Sequence, residues 1–238
     1  MSSAIEGLKI LLVEDDIDLR EIIKLELEYC GATVTEAENG QQAFTLNSQK
    51  KFDIILSDIR MPIEDGLTLT KKVKSLNSNS PIIFLMTGYS DFPASEAYHL
   101  GVEGFINKPF DFETVLNGFH RVLKPASQRW QEVFSPQNLI KIKLNQTPDE
   151  ALTNKSLSVG RGGIMVLCDN NNINFGDNLE LTFSDGSVMS GVVRWSHRST
   201  ENQKLEIGLE FFYLNEKAFE FYNKTMKLNN PAAYIPQV

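Results

Sequence analysis

Acidic, hydroxyl and ammonium side chains follow apolar segments at several points in the first half of the chain. Glu14 and Asp15 follow one apolar run, Asp58 ends another, and Thr87 and Lys108 follow two more. Crowded carboxylates repel one another and raise one another's pKa unless a cation compensates. A purely oxygen ligand set suits Mg²⁺. A carboxylate nucleophile, a divalent cation, a lysine and a hydroxyl group together predict a site that accepts a phosphoryl group.

Apolar runs and helical periodicity alternate through this half of the chain. We predict strands at 8–13, 32–36, 53–57, 81–86 and 104–106 and helices at 17–29, 40–48, 66–76, 91–100 and 111–123. Such alternation implies an α/β domain with a five-stranded parallel, doubly wound sheet and helices on both faces. Ligands bind at the carboxyl ends of such strands, so the five side chains are expected to converge there. In the first helix, the spacing predicts an apolar face of Ile17, Ile22, Ile23 and Leu27 against a polar face of Arg20, Glu21, Lys24 and Glu28.

Residues 8–124 resemble a response-regulator receiver domain through the segments LLVEDD, DIILSDIRMP, DGL, FLMTGYSD and GFINKPF. The resemblance implies a flavodoxin-like fold with Asp58 as the phosphoacceptor. It implies Mg²⁺ as the cofactor, held by Glu14, Asp15, Asp58 and the backbone carbonyl of Arg60. A sensor histidine kinase would supply the phosphoryl group. The domain would not be an enzyme beyond self-phosphorylation and autodephosphorylation.

The same resemblance implies a switch around the phosphoryl group. Thr87 would be the switch hydroxyl, and Gly88 would leave room for the phosphoryl group. Phe105 would be the switch aromatic, without the hydroxyl that a tyrosine offers there. Lys108 would bind the phosphoryl group, and Pro109 would follow a cis peptide bond.

The second half is predicted to be a small all-β domain. Alternating and apolar runs indicate strands at 139–144, 163–168, 179–183, 188–195 and 205–212, a hairpin turn at Asp185–Gly186 and a closing helix at 214–227. Leu214, Ala218, Phe221, Tyr222 and Met226 would face inward from that helix. These features predict a β-barrel of about six strands with a C-terminal helix. The segments GGIMV, GDNLELTF, VMSGVVRW and LEIGLEF resemble a PilZ domain, a cyclic di-GMP receptor fold.

The ligand-binding motifs of that family are incomplete here. The family places R-x-x-x-R before the first barrel strand, and this chain offers only Arg129 there. It then has D/N-x-S-x-x-G, which Asn154 and Ser156 begin, but Val159 stands at the glycine position. Candidate cyclic di-GMP residues under the two alignments are Arg129, Asn154, Ser156, Ser158, Arg161 and Gly163. We therefore expect a degenerate PilZ-like domain that contacts a protein; the alternative is a functional cyclic di-GMP effector that integrates two inputs.

The distribution of charge along the chain indicates two domains. The formal net charge is -8, and residues 1–124 hold 19 of the 31 acidic but only 12 of the 23 basic residues. We predict a receiver domain at 1–124, a linker at 125–136, a PilZ-like domain at 137–230 and a tail at 231–238. Acidity disfavours DNA as a partner. The lack of a signal-like N-terminus and of a long apolar run predicts a cytoplasmic chain without membrane insertion.

Three function classes make different demands on these residues. A two-component response regulator explains every residue of the acidic cluster. A phosphatase of the haloacid dehalogenase type would need a second acid two residues after Asp58, where Arg60 stands. A transcription factor would need a helix-turn-helix and a basic face in the second half. The identity of the kinase, the downstream protein target and homodimer formation through the receiver stay open.

Overall fold

The computed structural model describes residues 5–76, 81–88, 94–124, 130, 136, 138–169, 172–198, 204–229 and 235. The chain divides into two compact units. One comprises 1–93 and 100–124, and the other comprises 94–99 and 125–238. Each unit contains one sheet. The boundaries predicted at residues 125 and 137 and the tail at 231–238 lie at or among residues outside the described ranges, so they stay predictions.

The first sheet is parallel and five-stranded, as predicted. Its strands are β1 (Lys9–Val13), β2 (Thr33–Ala37), β3 (Ile54–Asp58), β4 (Ile82–Thr87) and β5 (Gly104–Asn107), in the order β2-β1-β3-β4-β5. The helices along this part of the chain are α1 (Ile17–Tyr29), α2 (Gly40–Gln49), α3 (Gly66–Leu76), α4 (Ala94–His99) and α5 (Phe112–Leu123). Every residue of β3 is buried, as the apolar runs of central parallel strands require.

Side-chain caps fix where three of these helices begin. Asp16 accepts a hydrogen bond from the backbone N–H of Leu19 at the start of α1. Asn39 caps α2 and Asp111 caps α5 in the same way. Such caps satisfy backbone donors that the first helical turn leaves without partners. The first turn of α1 therefore begins immediately after the acidic residues that follow β1.

The buried face of α1 differs from the one that the sequence predicted. Ile23 and Leu27 are buried as expected, but Ile17 and Ile22 are 67% and 60% exposed. Arg20, predicted on the polar face, is buried instead. Arg20, Ile23 and Leu27 are spaced by three and four residues, which is the spacing of one helix face. The buried face of α1 therefore includes the charged side chain of Arg20, whereas Ile17 and Ile22 face solvent.

The second unit is built on a mixed six-stranded sheet. Its strands are β6 (Leu139–Lys143), β7 (Leu157–Val159), β8 (Gly163–Cys168), β9 (Asn178–Thr182), β10 (Val188–Arg198) and β11 (Leu205–Leu214), and its helices besides α4 are α6 (Pro148–Thr153) and α7 (Glu216–Asn229). The order is β6-β9-β10-β11-β8-β7, with β6 parallel to β9 and the other pairs antiparallel. Six strands agree with the predicted number, but among the described residues β6 and β7 do not pair to close a barrel.

Two short elements of this unit were not predicted. The capping box of Thr147 and Glu150 starts the six-residue α6, and three-residue β7 pairs with β8. Of the residues predicted to face inward from the last helix, Ala218, Phe221 and Tyr222 are buried in the core and Met226 packs against it. Leu214 is also buried, but it is the last residue of β11, because the helix begins only at Glu216. Trp130 joins that core and makes edge-on ring contacts with Phe211 and Tyr222 at 5.3 and 4.9 Å.

Three glycines let strands of the second sheet approach closely. A Cβ at Gly163 would lie 2.0 Å from the carbonyl oxygen of Leu209, and one at Gly191 would lie 2.3 Å from that of Glu210. A Cβ at Gly208 would lie 2.0 Å from Nε1 of Trp195, whose indole is buried. Each glycine is thus required by packing within the sheet.

No helix among the described residues is long and apolar enough to cross a membrane.

Ile63 adopts a strained backbone conformation in the loop after β3. Its φ is +69°, a region that β-branched residues rarely occupy, and its side chain is 78% exposed. We expect Ile63→Asn to raise the free energy of unfolding by about 1 kcal/mol, because asparagine tolerates this conformation and little burial is lost. Urea denaturation measures the change. Ile63→Val keeps the β-branch and serves as the control; an equal gain in both variants would contradict the strain explanation.

Candidate functional site

The predicted site residues lie where parallel strands end. Asp58 is the last residue of β3, Thr87 is the last residue of β4, and Glu14 follows β1. Lys108 follows β5, and its backbone N–H donates to the carbonyl of Thr87 at 2.7 Å. All four residues therefore meet at one edge of the sheet, which is the expected position for a ligand site in such folds.

Three carboxylates and one ammonium group form the centre of the site. One ligand oxygen each from Glu14, Asp15 and Asp58 lies within 4.8 Å of the others. The Lys108 ammonium donates to Glu14 Oε2 and pairs with Asp58 Oδ1, both at 2.7 Å. The backbone N–H of Arg60 donates to Asp58 Oδ2 at 3.1 Å. One lysine thus partly offsets the negative charge of two buried carboxylates.

Burial and neighbouring charges shift the pKa values of Glu14 and Lys108. Glu14 is 2% exposed, and burial raises its pKa although the hydrogen bond from Lys108 opposes this. The neighbouring charge of Asp58 also raises the pKa of Glu14. For Lys108, burial lowers the pKa, but the bonds to Asp58 and Glu14 outweigh it and the net shift is upward. Lys108 therefore stays an ammonium ion at neutral pH.

The donor set fits Mg²⁺. The cluster offers carboxylate oxygens alone, as hard divalent cations prefer. Asp15 is exposed while Glu14 and Asp58 are buried, so the cluster is open to solvent on one side. Glu14, Asp15 and Asp58 would hold the cation. When bound, the cation would offset negative charge that Lys108 alone does not neutralise.

The predicted switch residues surround the same edge. Thr87 is half-buried, and its hydroxyl donates to the carbonyl of Gly88 at 3.0 Å. A Cβ added to Gly88 would meet no described atom within 4 Å. Phe105 is half-buried in β5, and the Lys108–Pro109 bond is cis, as the sequence resemblance implied. The Thr87 hydroxyl is thus bonded locally and not to Asp58.

The candidate residues of the second unit do not form a comparable cluster. Ser156 Oγ accepts from Gln146 Nε2 at 2.8 Å, and Asn154 bonds both Gln146 and the backbone N–H of Ser156. Gln146 was not singled out from the sequence, because its partners lie eight and ten residues away. Gly163 is required by strand packing, and the carbonyl of Arg161 accepts from the Tyr222 hydroxyl at 2.8 Å.

Ser158 and Arg129 are the remaining candidates. Ser158 lies in β7, opposite Met165 of β8. Arg129 lies outside the described residues. Gln146, Asn154 and Ser156 line an open cavity of about 470 Å³, and its lining also includes Lys143 and Lys204. Neither lysine provides the planar fork that an arginine offers to phosphate or guanine.

Comparison with known proteins places the similarity mainly in the first half. A family model described as "Response regulator receiver domain" matches residues 10–120. The DNA-binding transcriptional regulator NtrC of Salmonella typhimurium is 35% identical over 129 residues, which is 54% of this chain but 26% of that protein. The probable transcriptional regulators ycf29 of Porphyra purpurea and Pyropia yezoensis are 34% and 36% identical, and 78% and 74% of their lengths are covered. In both cases 63% of this chain is covered.

Solved structures match the same half. The chemotaxis response regulator CheY4 of Vibrio cholerae is 28% identical with a TM-score of 0.45 and covers 48% of this chain and 98% of its own. The response regulator TrrA of Thermotoga maritima, solved in complex with Mg²⁺-BeF, is 27% identical with a TM-score of 0.44. It covers 47% of this chain and 96% of its own.

The upward shift in the pKa of Glu14 predicts a pH dependence of stability. A folded-state pKa above the unfolded value means that the folded state binds this proton more tightly, so the contribution of Glu14 to stability falls as pH rises. In protein freed of divalent cations, we expect Glu14→Gln to gain stability relative to the parent as pH rises from below 4.5 to neutral. Urea denaturation in EDTA at several pH values measures this. A difference that stays constant or reverses with pH would contradict the burial effect.

Proposed function

The chain belongs to the response-regulator receiver family, and we propose that it is a two-component response regulator that accepts a phosphoryl group on Asp58. The observation that carries the proposal is the Asp58 carboxylate itself. It ends a buried strand, is 8% exposed, and pairs at 2.7 Å with the Lys108 ammonium beside two further carboxylates. An acidic residue that was merely solvated at a strand end would not be buried and paired with the same lysine as Glu14.

The transfer step follows from these groups. A carboxylate oxygen of Asp58 attacks the phosphorus of the donor, which for a sensor histidine kinase is a phosphohistidine. The new bond is an O–P bond of an acyl phosphate, and the P–N bond of the donor breaks with its electron pair left on the imidazole. Lys108 binds the phosphoryl oxygens as their charge shifts during transfer. Glu14, Asp15, Asp58 and the backbone carbonyl of Arg60 would hold a Mg²⁺ ion, which would offset negative charge on the transferring group.

We propose that the phosphoryl group acts on Thr87 and Phe105. In the structure the Thr87 hydroxyl bonds its neighbour Gly88, so it is available to turn toward a new acceptor. The oxygens of phospho-Asp58 offer that acceptor. Inward movement of Thr87 vacates space for the Phe105 ring, so phosphorylation favours one of two arrangements through differential contacts.

For the second unit we propose a degenerate PilZ-like output domain that contacts a protein. Val159, at the position where the family has glycine, is a buried core residue paired with Ile164. Asn154 and Ser156 are bonded to Gln146 and to the local backbone. Val159 is thus part of the core, and the side chains of Asn154 and Ser156 are engaged in local hydrogen bonds. Binding of cyclic di-GMP is the second candidate, and Arg161 is the residue that would serve it.

We propose no DNA contact for this unit, although relatives such as NtrC are named DNA-binding. Sequence similarity to NtrC extends over 26% of that protein. In the described residues beyond 137, the helices are α6 and α7, separated in sequence by five strands. That arrangement is not the consecutive helix pair of a helix-turn-helix.

Phosphorylation of Asp58 is directly testable. Acetyl phosphate with Mg²⁺ should add one phosphoryl group to the full chain, detected by intact mass, and EDTA should prevent it. Asp58→Asn should abolish the labelling, whereas Asp53→Asn, on an acidic residue just before the same strand, should not. Backbone NMR signals of Thr87 and Phe105 should shift on labelling. Equal labelling of Asp58→Asn would refute the assignment.

Cyclic di-GMP binding is tested by calorimetry on the full chain. We expect no saturable binding in the low-micromolar range. Each charge-assisted hydrogen bond contributes about 1.5–3 kcal/mol, so the loss of a two-arginine clamp lowers affinity by orders of magnitude. A tight, stoichiometric isotherm that Arg161→Ala removes would instead establish the two-input effector.

A further inference from the structure

Arg20 is a buried cation in contact with the backbone of the acidic cluster. Only 7% of the residue is exposed. Its Nη1 donates to the carbonyl oxygen of Glu14 at 2.5 Å, and this bond is buried. Arg20 contacts neither the carboxylate of Glu14 nor that of Asp58 among the described bonds. It therefore acts on the main chain that carries the cluster.

The same guanidinium group also pairs with two acidic residues at and just after the end of β2. Arg20 Nε lies 3.5 Å from Glu36 Oε1, and Nη2 lies 3.9 Å from Glu38 Oε1. The intervening residue, Ala37, accepts the backbone N–H of Glu14 at 3.1 Å. The peptide groups on both sides of Glu14 are thus fixed, one directly by β2 and the other through Arg20.

We propose that Arg20 is a positioning residue for the divalent-cation site, an inference that rests on the proposed function. Its side chain holds the short connection between β1 and α1, so that Glu14 and Asp15 present their carboxylates together with Asp58. Partners that orient metal ligands commonly change metal affinity by 10- to 100-fold when removed, as a rough guide. Without Arg20, the carbonyl of Glu14 would lose its bond and the connection would relax.

Charge alone predicts the opposite effect. A guanidinium group close to a cation site repels a second cation, so its removal would tighten Mg²⁺ binding if electrostatics dominated. Glu36 and Glu38 pair with Arg20 and offset that repulsion. The direction of the change in affinity therefore separates a positioning role from a purely electrostatic one.

Lys24 provides a matched control on the same helix. Its Nζ binds Glu36 Oε2 at 2.5 Å, so it shares an acidic partner with Arg20. Among the described contacts it has no bond to Glu14 or Asp15. The side chains of this ion pair are about one third exposed, and loss of such a pair near the surface has little effect on stability. Lys24→Ala removes one positive charge without touching the cluster.

The experiment is a Mg²⁺ titration of the full chain followed by the backbone NMR signals of Glu14, Asp15 and Asp58. We expect Arg20→Ala to weaken Mg²⁺ binding by about 10-fold. Arg20→Lys should weaken it less, because an ammonium group can still donate to one carbonyl. Lys24→Ala should match the parent. In acetyl phosphate labelling, the half-saturating Mg²⁺ concentration should rise for Arg20→Ala while the rate at saturating Mg²⁺ changes little.

Each outcome either supports or overturns the positioning role of Arg20. Unchanged or tighter Mg²⁺ binding in Arg20→Ala overturns the proposal, as does equal weakening by Lys24→Ala. If Arg20→Ala does not fold, the test uses Arg20→Met, which keeps an apolar stem but has no donor for the Glu14 carbonyl, and parent-like affinity in that variant overturns the proposal. Absence of Mg²⁺ binding and of labelling in the parent would refute the proposed function instead, so the two failures are distinguishable.

Discussion

The arrangement of the first unit depends on one ammonium group shared between two buried carboxylates. Lys108 reaches Glu14 and Asp58 only because β1 lies beside β3 and because β5 ends at the same edge of the sheet. In a parallel sheet all carboxyl ends lie on one side, so strands distant in sequence can bring like charges together there. The hydrogen bond from the backbone N–H of Lys108 to the carbonyl of Thr87 holds this lysine at the end of β4.

The strands and the acidic cluster of the first unit were predictable because both follow local rules. Apolar runs marked the buried strands, and the reactive side chains came directly after them. The burial of Arg20 was not predictable from residue type, since it depends on a carbonyl and two acids supplied by other elements. Its spacing relative to Ile23 and Leu27 did indicate the buried face, but Arg20 was assigned to the solvent side because it is charged.

The second unit shows a different limit. Alternating patterns predicted its longer strands, whereas α6 and β7 are too short for periodicity to mark them. Gly163 belonged to a possible ligand motif in the sequence, yet the structure gives it a packing role against Leu209. A glycine that admits a ligand and a glycine that admits a neighbouring strand are identical in sequence. Only the register of β8 against β11 separates the two explanations.

The indole of Trp195, lying over Gly208, has a spectroscopic consequence. The chain has two tryptophans, and both Trp130 and Trp195 are buried in the second unit. Intrinsic tryptophan emission of the full chain therefore originates in the second unit alone, from rings shielded from water. The receiver contributes no tryptophan emission, so the wavelength maximum during denaturation follows the loss of the second core. Far-ultraviolet circular dichroism, by contrast, records both units, and the two signals together resolve which half unfolds first.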